Sequence, residues 1–256
     1  VIHQTALIDP TATLGNNVKV GAYTVIGADV EIGDNTVIES HVVIKGPSRI
    51  GNNNHFYQFC SIGEDCQDLK YAGEPTRLEI GDGNTFRECV TVHRGTVQDN
   101  SLTRIGNNNL LMAYVHLAHD CMVGNNNIFA NNASVAGHVH VGDWAILGGM
   151  SGVHQFCHVG SHSFCAAGTI LLRDLPPYVM VGGKGASPHG INAEGLRRRG
   201  YSKESILQIR RAYKVLYRSG KTTEEALREL REMAKQAPEL EMLVEFVASS
   251  SRGIVR

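Results

Sequence analysis

The chain has 256 residues, room for one large domain or a domain with a small appendage, and at 42% hydrophobic it can bury a core. No stretch approaches the roughly 18 apolar residues of a membrane span, and the opening VIHQTALIDP lacks the basic start and apolar run of a secretory signal, so a cytoplasmic protein without membrane insertion is expected. Net charge is −1, but residues 197–256 carry 14 Lys+Arg against 8 Asp+Glu, a net of +6, which suits either an acidic partner at that end or ordinary helix-surface charge.

From Ile8 an apolar residue recurs every sixth position: Leu14, Val20, Ile26, Ile32, Ile38, Ile44, Ile50, Phe56 and Ile62. Two positions before each anchor stands a small or β-branched residue, as at Ala6, Ala12, Val18 and Thr24, and Gly often follows it, as at Gly15, Gly33 and Gly51. Two inward positions around one outward residue make a very short strand. The other three residues must turn the chain, where Gly or Asn accepts backbone angles that other residues resist. Period six rotates the anchors around a helix, which excludes an amphipathic helix, and no hairpin signals support a sandwich. Three hexads close an 18-residue triangular coil, so the repeat predicts a parallel β-helix.

The repeat stops at 64–79, EDCQDLKYAGEPTRLE, a charged insert that reads as a loop leaving the coil. Loops of this kind on a rigid scaffold carry function. Anchors resume at Ile80, Phe86 and Val92, break again near 93–104, and run from Ile105 to Leu171. After Pro176-Pro177 the period changes. Ser202 caps a helix with anchors Ile206, Ile209, Tyr213 and Leu216, ended by Gly220. Thr222 and Glu225 form a capping box for a second helix with Leu227, Leu230 and Met233 inward, and Pro238 starts a third with Leu240, Leu243, Val244 and Val247. The expected division is a β-helix over 1–190, with its inserted loop, and a helical cap over 191–256 that covers the solenoid's end. The six cysteines form no CxxC pair and read as free thiols in a reducing compartment, with Cys60, Cys121 and Cys157 as compact inward hydrophobes.

The twelve histidines are informative through their phase. Leu117, Val135 and Val153 are 18 residues apart, hence stacked on one edge, with His119, His138, His154 and Gln155 just after them and His116 just before Leu117. This wall of imidazoles at one corner serves two chemistries: zinc held by three histidines, or acyl transfer with one neutral histidine as general base. His116 and His119 are three apart, a poor match to a shared zinc site. His93 falls by this count on a different edge and a lower coil. His140 and His158 read as a solvated ladder, and Trp144 as packing or subunit contact.

The segments DLKYAGEPT (68–76), HRGTV (93–97), HLAHDC (116–121), AGHV (136–139), HQFC (154–157), PPYV (176–179) and GLRRRG (195–200) resemble the UDP-N-acetylglucosamine O-acyltransferases of lipid A synthesis, a hexapeptide-repeat family, from end to end of the chain. The resemblance implies a left-handed coil and transfer of a 3-hydroxyacyl chain from acyl carrier protein to the 3-position of the nucleotide sugar. It implies a homotrimer using no metal or other cofactor and no nucleic acid. It puts the general base on His119, its orienting partner on Asp120, and the oxyanion donor on the backbone of Gly137. Substrate contacts fall on Gln67, Asp68, Lys70, His116, His138, His154, Gln155, Asn192, Glu194, Arg198 and Arg199. Ala167 occupies the position that helps set acyl length, and its intermediate size implies a medium chain. Members differ in whether the acceptor is a 3-hydroxyl or a 3-amine. Three other readings compete: a zinc hexapeptide-repeat hydrolase of carbonic anhydrase type, the related N-acyltransferase of the same pathway, and a bare structural solenoid.

Overall fold

A computed structural model describes residues 1–256. The chain forms 27 strands, nearly all two to four residues long, in three sheets of nine, eight and ten strands. Successive strands step from face to face, so through Gly152–Val153 each pairs in parallel with the strand three further on, as Leu7 with Val25 and Val25 with Val43. The result is a left-handed parallel β-helix closed by helices.

The anchors point inward as the repeat predicts. Ile26, Ile38, Ile44, Phe56, Ile62 and Leu117 are all buried. Phe56 and Phe86 stack face to face at 4.6 Å inside the coil. Buried Asn54, Asn84 and Asn109 form a column along one inner corner. Each Asn side-chain oxygen accepts from the backbone of the Asn one coil up, and Asn84 and Asn109 donate 2.9 Å bonds to Gly106 O and Gly124 O. Polar residues are thus admitted to the interior where each finds its partner one coil away.

The corners differ from expectation in one respect. The residue in the left-handed region is often Asn (Asn17, Asn35, Asn53, Asn108, Asn126), but Tyr23, Phe59, Tyr114, Trp144 and Met150 adopt it too. The roughly 1–2 kcal/mol cost for each side chain there is accepted because the parallel ladders on both sides fix the turn. The glycine after an anchor serves a different need. Gly33 does not have positive φ, and a Cβ on it would lie 2.7 Å from the Gly51 carbonyl. Space between coils, not backbone freedom, selects glycine there.

Both breaks in the repeat are loops at one corner, where strands Ser61–Glu64 and Thr91–His93 hand over to Arg77–Ile80 and Leu102–Ile105. They change the numbering without disturbing the stacking: Ser61 pairs with Thr91, and Thr91 with His116. Buried Arg94 fastens the first loop, donating to Gly63 O (2.5 Å), Asp65 and the Tyr71 hydroxyl (3.2 Å).

Beyond Pro177 two strands absent from the sequence reading, Val179–Gly182 and Ser187–Ile191, form an antiparallel hairpin on the ten-stranded sheet. A short helix α1 (Ala193–Arg198) follows, also unanticipated, then α2 (Lys203–Arg218), α3 (Thr223–Ala234), a single 3₁₀ turn at Pro238–Leu240, and α4 (Glu241–Ser249). Ser202 caps α2, and Thr222 with Glu225 forms the capping box of α3. Asp174, on the last coil, fastens the cap by accepting from Val255 N at 2.9 Å and from Ser250 Oγ at 2.6 Å. The six cysteines are unpaired, and no helix is long and apolar enough to cross a membrane.

Candidate active site

A groove of about 820 Å³ runs along the outer face of the nine-stranded sheet, floored by strands Thr91–His93, His116–Leu117, Ser134–Val135, Gly152–Val153 and Ile170–Leu171. Gln67, Asp68 and Lys70 of the insert loop overhang one side, and His116, His119, His154, Gln155 and Gly137 line the other parts. Asp68 shapes the loop by accepting the Lys70 N–H on its own carboxylate at 2.9 Å.

His119 turns the corner after its strand, and its Nδ1 lies 2.8 Å from Asp120 Oδ2. Asp120 is fully buried and sits at φ 58°, held from behind by a 2.8 Å bond from its N–H to Thr103 Oγ1. Its carboxylate also accepts from Thr96 N–H (2.9 Å) and Thr96 Oγ1 (2.6 Å). Burial alone pushes this carboxyl's pKa up, but the hydrogen bonds from His119 and Thr96 and the nearby His138 outweigh it and leave it below the usual value. An ionised carboxylate only accepts, so Nδ1 of His119 carries the proton and Nε2 of the neutral ring presents a lone pair. A Cβ on Gly137 would fall 2.7 Å from that Nε2. The N–H of Gly137 is not engaged by any group of the chain.

His116 Nδ1 meets Thr91 Oγ1 at 2.7 Å, and its ring meets His93 edge-on at 5.0 Å. Burial first, and the neighbouring imidazoles second, lower the pKa of both, His93 to about 4. Both imidazoles beside the base are thus biased toward the neutral form. His93 lines the groove, contrary to its expected place on another edge. The loop at 94–101 adds seven residues to that coil, so Thr91 stacks under His116 at a separation of 25 instead of 18. Counting by eighteens across an insertion loses the phase. Ile170 and Leu172, 51% and 60% exposed, close one end of the groove with an apolar wall that sequence reasoning missed. Outward apolar residues on both sides of anchor Leu171 were the available signal.

Other expected residues lie elsewhere in this chain. His138 is not among the residues that line the groove in this chain; its Nδ1 is 2.9 Å from Asp99 Oδ2, and Phe156 stacks on its ring at 4.4 Å. Asn192 caps α1 and donates to His162 O at 3.1 Å, while Glu194 pairs with Arg197 and Arg198 on the surface of that helix. Arg199 lies over the Trp144 ring at 5.0 Å and meets His162 Nδ1 at 3.1 Å. These four stand at a different corner from His119, because α1 packs beside Trp144 and His162. Ala167 is exposed at a further corner and does not line the groove. His140 and His158 stack at 4.7 Å as a solvated pair on another face.

Ligand atoms of His119, Asp120 and His138 lie within 4.8 Å of one another, so the zinc reading meets a concrete trio. Its donor set is two imidazoles and one carboxylate, not three imidazoles, and that carboxylate already accepts from Thr96 and from His119. The arrangement fits a hydrogen-bonded dyad with a free base nitrogen better than a metal cage.

Residues 11–46 and 102–137 match the bacterial transferase hexapeptide family, and 174–255 match the second domain of UDP N-acetylglucosamine O-acyltransferase. Fold and site thus define a hexapeptide-repeat transferase with a histidine–aspartate dyad. An acyl-[acyl-carrier-protein]–UDP-N-acetylglucosamine O-acyltransferase of Stutzerimonas stutzeri is 56% identical over 256 residues, covering 100% of this chain and 99% of that one. The solved structure of LpxA from Acinetobacter baumannii is 52% identical with a TM-score of 0.97, covering 100% and 99%. The UDP-N-acetylglucosamine acyltransferase of Arabidopsis is 34% identical with a TM-score of 0.86 over the whole of both chains. The chain belongs to the UDP-N-acetylglucosamine O-acyltransferase family.

Proposed function

We propose that this chain transfers a 3-hydroxyacyl group from acyl carrier protein to the 3-position of the sugar of UDP-N-acetylglucosamine, the first step of lipid A synthesis, with His119 as general base. The observation that carries the mechanism is the 2.8 Å bond from His119 to buried Asp120, which leaves Nε2 free beside the groove. Nε2 takes the proton of the sugar hydroxyl as its oxygen attacks the thioester carbonyl. Asp120 stabilises the imidazolium. The negative charge that builds on the carbonyl oxygen is met by the Gly137 N–H. Collapse expels the carrier's thiolate, which recovers the proton from His119.

Gln67, Asp68, Lys70, His116, His154 and Gln155 hold the acceptor, and Ile170 and Leu172 guide the acyl chain, whose length Ala167 helps set. Asn192, Glu194, Arg198 and Arg199 serve the nucleotide and its phosphates from a neighbouring copy in a homotrimer. Their distance from His119 in one chain supports that reading, as do exposed Tyr23, Phe59, Tyr114 and Met150, an apolar stripe suited to burial against another copy. Arg210, Arg211, Lys214 and Arg218 are exposed on α2 and suit an acidic carrier protein. Six unpaired thiols suit a reducing cytoplasm.

The test is to incubate the protein with UDP-N-acetylglucosamine and a mixed pool of hydroxyacyl carrier proteins and to weigh the product. A nucleotide sugar heavier by one hydroxyacyl group, with an ester that hydroxylamine cleaves, is expected. Unchanged nucleotide sugar would overturn the reading.

A further inference from the structure

The loop at 94–101 closes on itself through bonds from Asp99 N and Ser101 N to Thr96 O, at 3.3 and 3.0 Å. It leaves the coil at the corner that carries the dyad and makes two contacts there, one on Asp120 and one on His138. Thr96 grips the Asp120 carboxylate through both its N–H and its hydroxyl. Three residues on, Asp99 Oδ2 lies 2.9 Å from Nδ1 of His138. The other nitrogen of that ring, Nε2, is 3.9 Å from the Asp120 oxygen that accepts from His119. The rings of His119 and His138 meet edge-on at 5.0 Å, and Phe156 covers the face of His138.

Four side chains therefore form a row: Asp99, His138, Asp120, His119. An ionised Asp99 only accepts, so it fixes Nδ1 of His138 as the donor and, with Phe156, fixes the plane of the ring. That plane sets what the shared Asp120 oxygen meets on the side away from His119. At the open surface such a contact would do little. Asp99 is itself 31% exposed and the His138 side chain 13%, but the inner nitrogen of the ring faces a fully buried carboxylate.

We propose that Asp99 is a positioning residue for acyl transfer, acting through His138 on the carboxylate that orients the base, with Thr96 holding the same carboxylate from the other end of the loop. The inference rests on the acyl-transfer reading above. Neither Asp99 nor His138 is among the residues that line the groove within this chain.

Steady-state kinetics of Asp99→Ala, His138→Ala and the double variant test it, with UDP-N-acetylglucosamine and a hydroxyacyl carrier protein as substrates. Asp99→Ala should lower kcat on the order of tenfold and leave both KM values and the melting temperature unchanged. The double variant should be no slower than His138→Ala, because residues acting through one another are not additive. Asp99→Glu should recover part of the loss, which a purely structural loop position would not. Additive losses, an effect confined to KM, or a wild-type kcat in Asp99→Ala would each overturn the proposal. Wild-type enzyme that forms product beside a silent Asp99→Ala removes this inference alone. Wild-type enzyme that forms none removes the parent reading, and this one with it.

Discussion

Gly137 and His119 occupy one space: a Cβ on the glycine would lie 2.6 Å from Cε1 of the imidazole. The coil above the base is thus shaped to let the ring lie flat against bare backbone. Gly137→Ala should push the ring off the Asp120 axis and lower kcat by about a hundredfold, since displacements near 1 Å carry that cost. Its melting temperature should stay close to wild type. A fully active Gly137→Ala would show that the ring has room to spare.

His119→Ala and Asp120→Asn separate proton transfer from orientation. Loss of the base should cost about 10²–10⁴-fold in kcat. Asp120→Asn can present its amide N–H to His119, which forces the other tautomer and puts the proton on Nε2. We expect its kcat loss to approach that of His119→Ala. An Asp120→Asn variant within a few-fold of wild type would assign Asp120 to the turn alone.

Activity should survive exhaustive chelation, and metal analysis should find no stoichiometric ion, because the Asp120 carboxylate in the His119–Asp120–His138 trio is already committed to Thr96 and His119. Loss on chelation with rescue by zinc would restore the hydrolase reading.

The pH dependence of stability should carry the mark of His93. Burial above all, with His116 beside it, holds the folded imidazole at about 4, whereas the unfolded chain titrates near 6.5. Between these values the unfolded state binds a proton that the folded state does not, so this contribution is full above about pH 6.5 and is lost as pH falls toward 4. The melting temperature should drop across that window, and His93→Gln should flatten the drop. Parallel curves for the two proteins would place the acid sensitivity elsewhere.

Exposed Arg210 and Arg211 give the last test. If they help steer an acidic carrier protein, the donor KM should rise with salt while that of the nucleotide sugar rises less. Arg210→Glu with Arg211→Glu should raise the donor KM and leave the histidine chemistry intact. A double variant indistinguishable from wild type at both low and high salt would reduce these charges to helix surface.

The coil was legible because a period of six leaves its mark on every anchor from Ile8 to Leu171. The α2 and α3 caps were legible because Ser202 and Thr222 announce them chemically. What escaped was whatever depends on distance across the fold. His93 was misplaced because an inserted loop breaks the count, and α1 was missed because its six residues carry no periodic stripe. His138 shares the phase of the site yet faces Asp99, a partner 39 residues away that no local pattern reveals. Ile170 and Leu172 stood in the sequence as plain outward hydrophobes, and only the groove gives them a purpose.

Both loops that interrupt the repeat leave from the corner that holds His119, and the strands on either side keep their partners as if nothing had been added. Only one vertex of the triangular cross-section is allowed to grow. Chain length can be gained or lost there without moving a floor strand. A descendant of this protein could therefore exchange its overhang for another and meet a new acceptor while the base stays where it is. The other two vertices carry the opposite constraint: they repeat without interruption, and the sheets that meet there gain nothing but another coil.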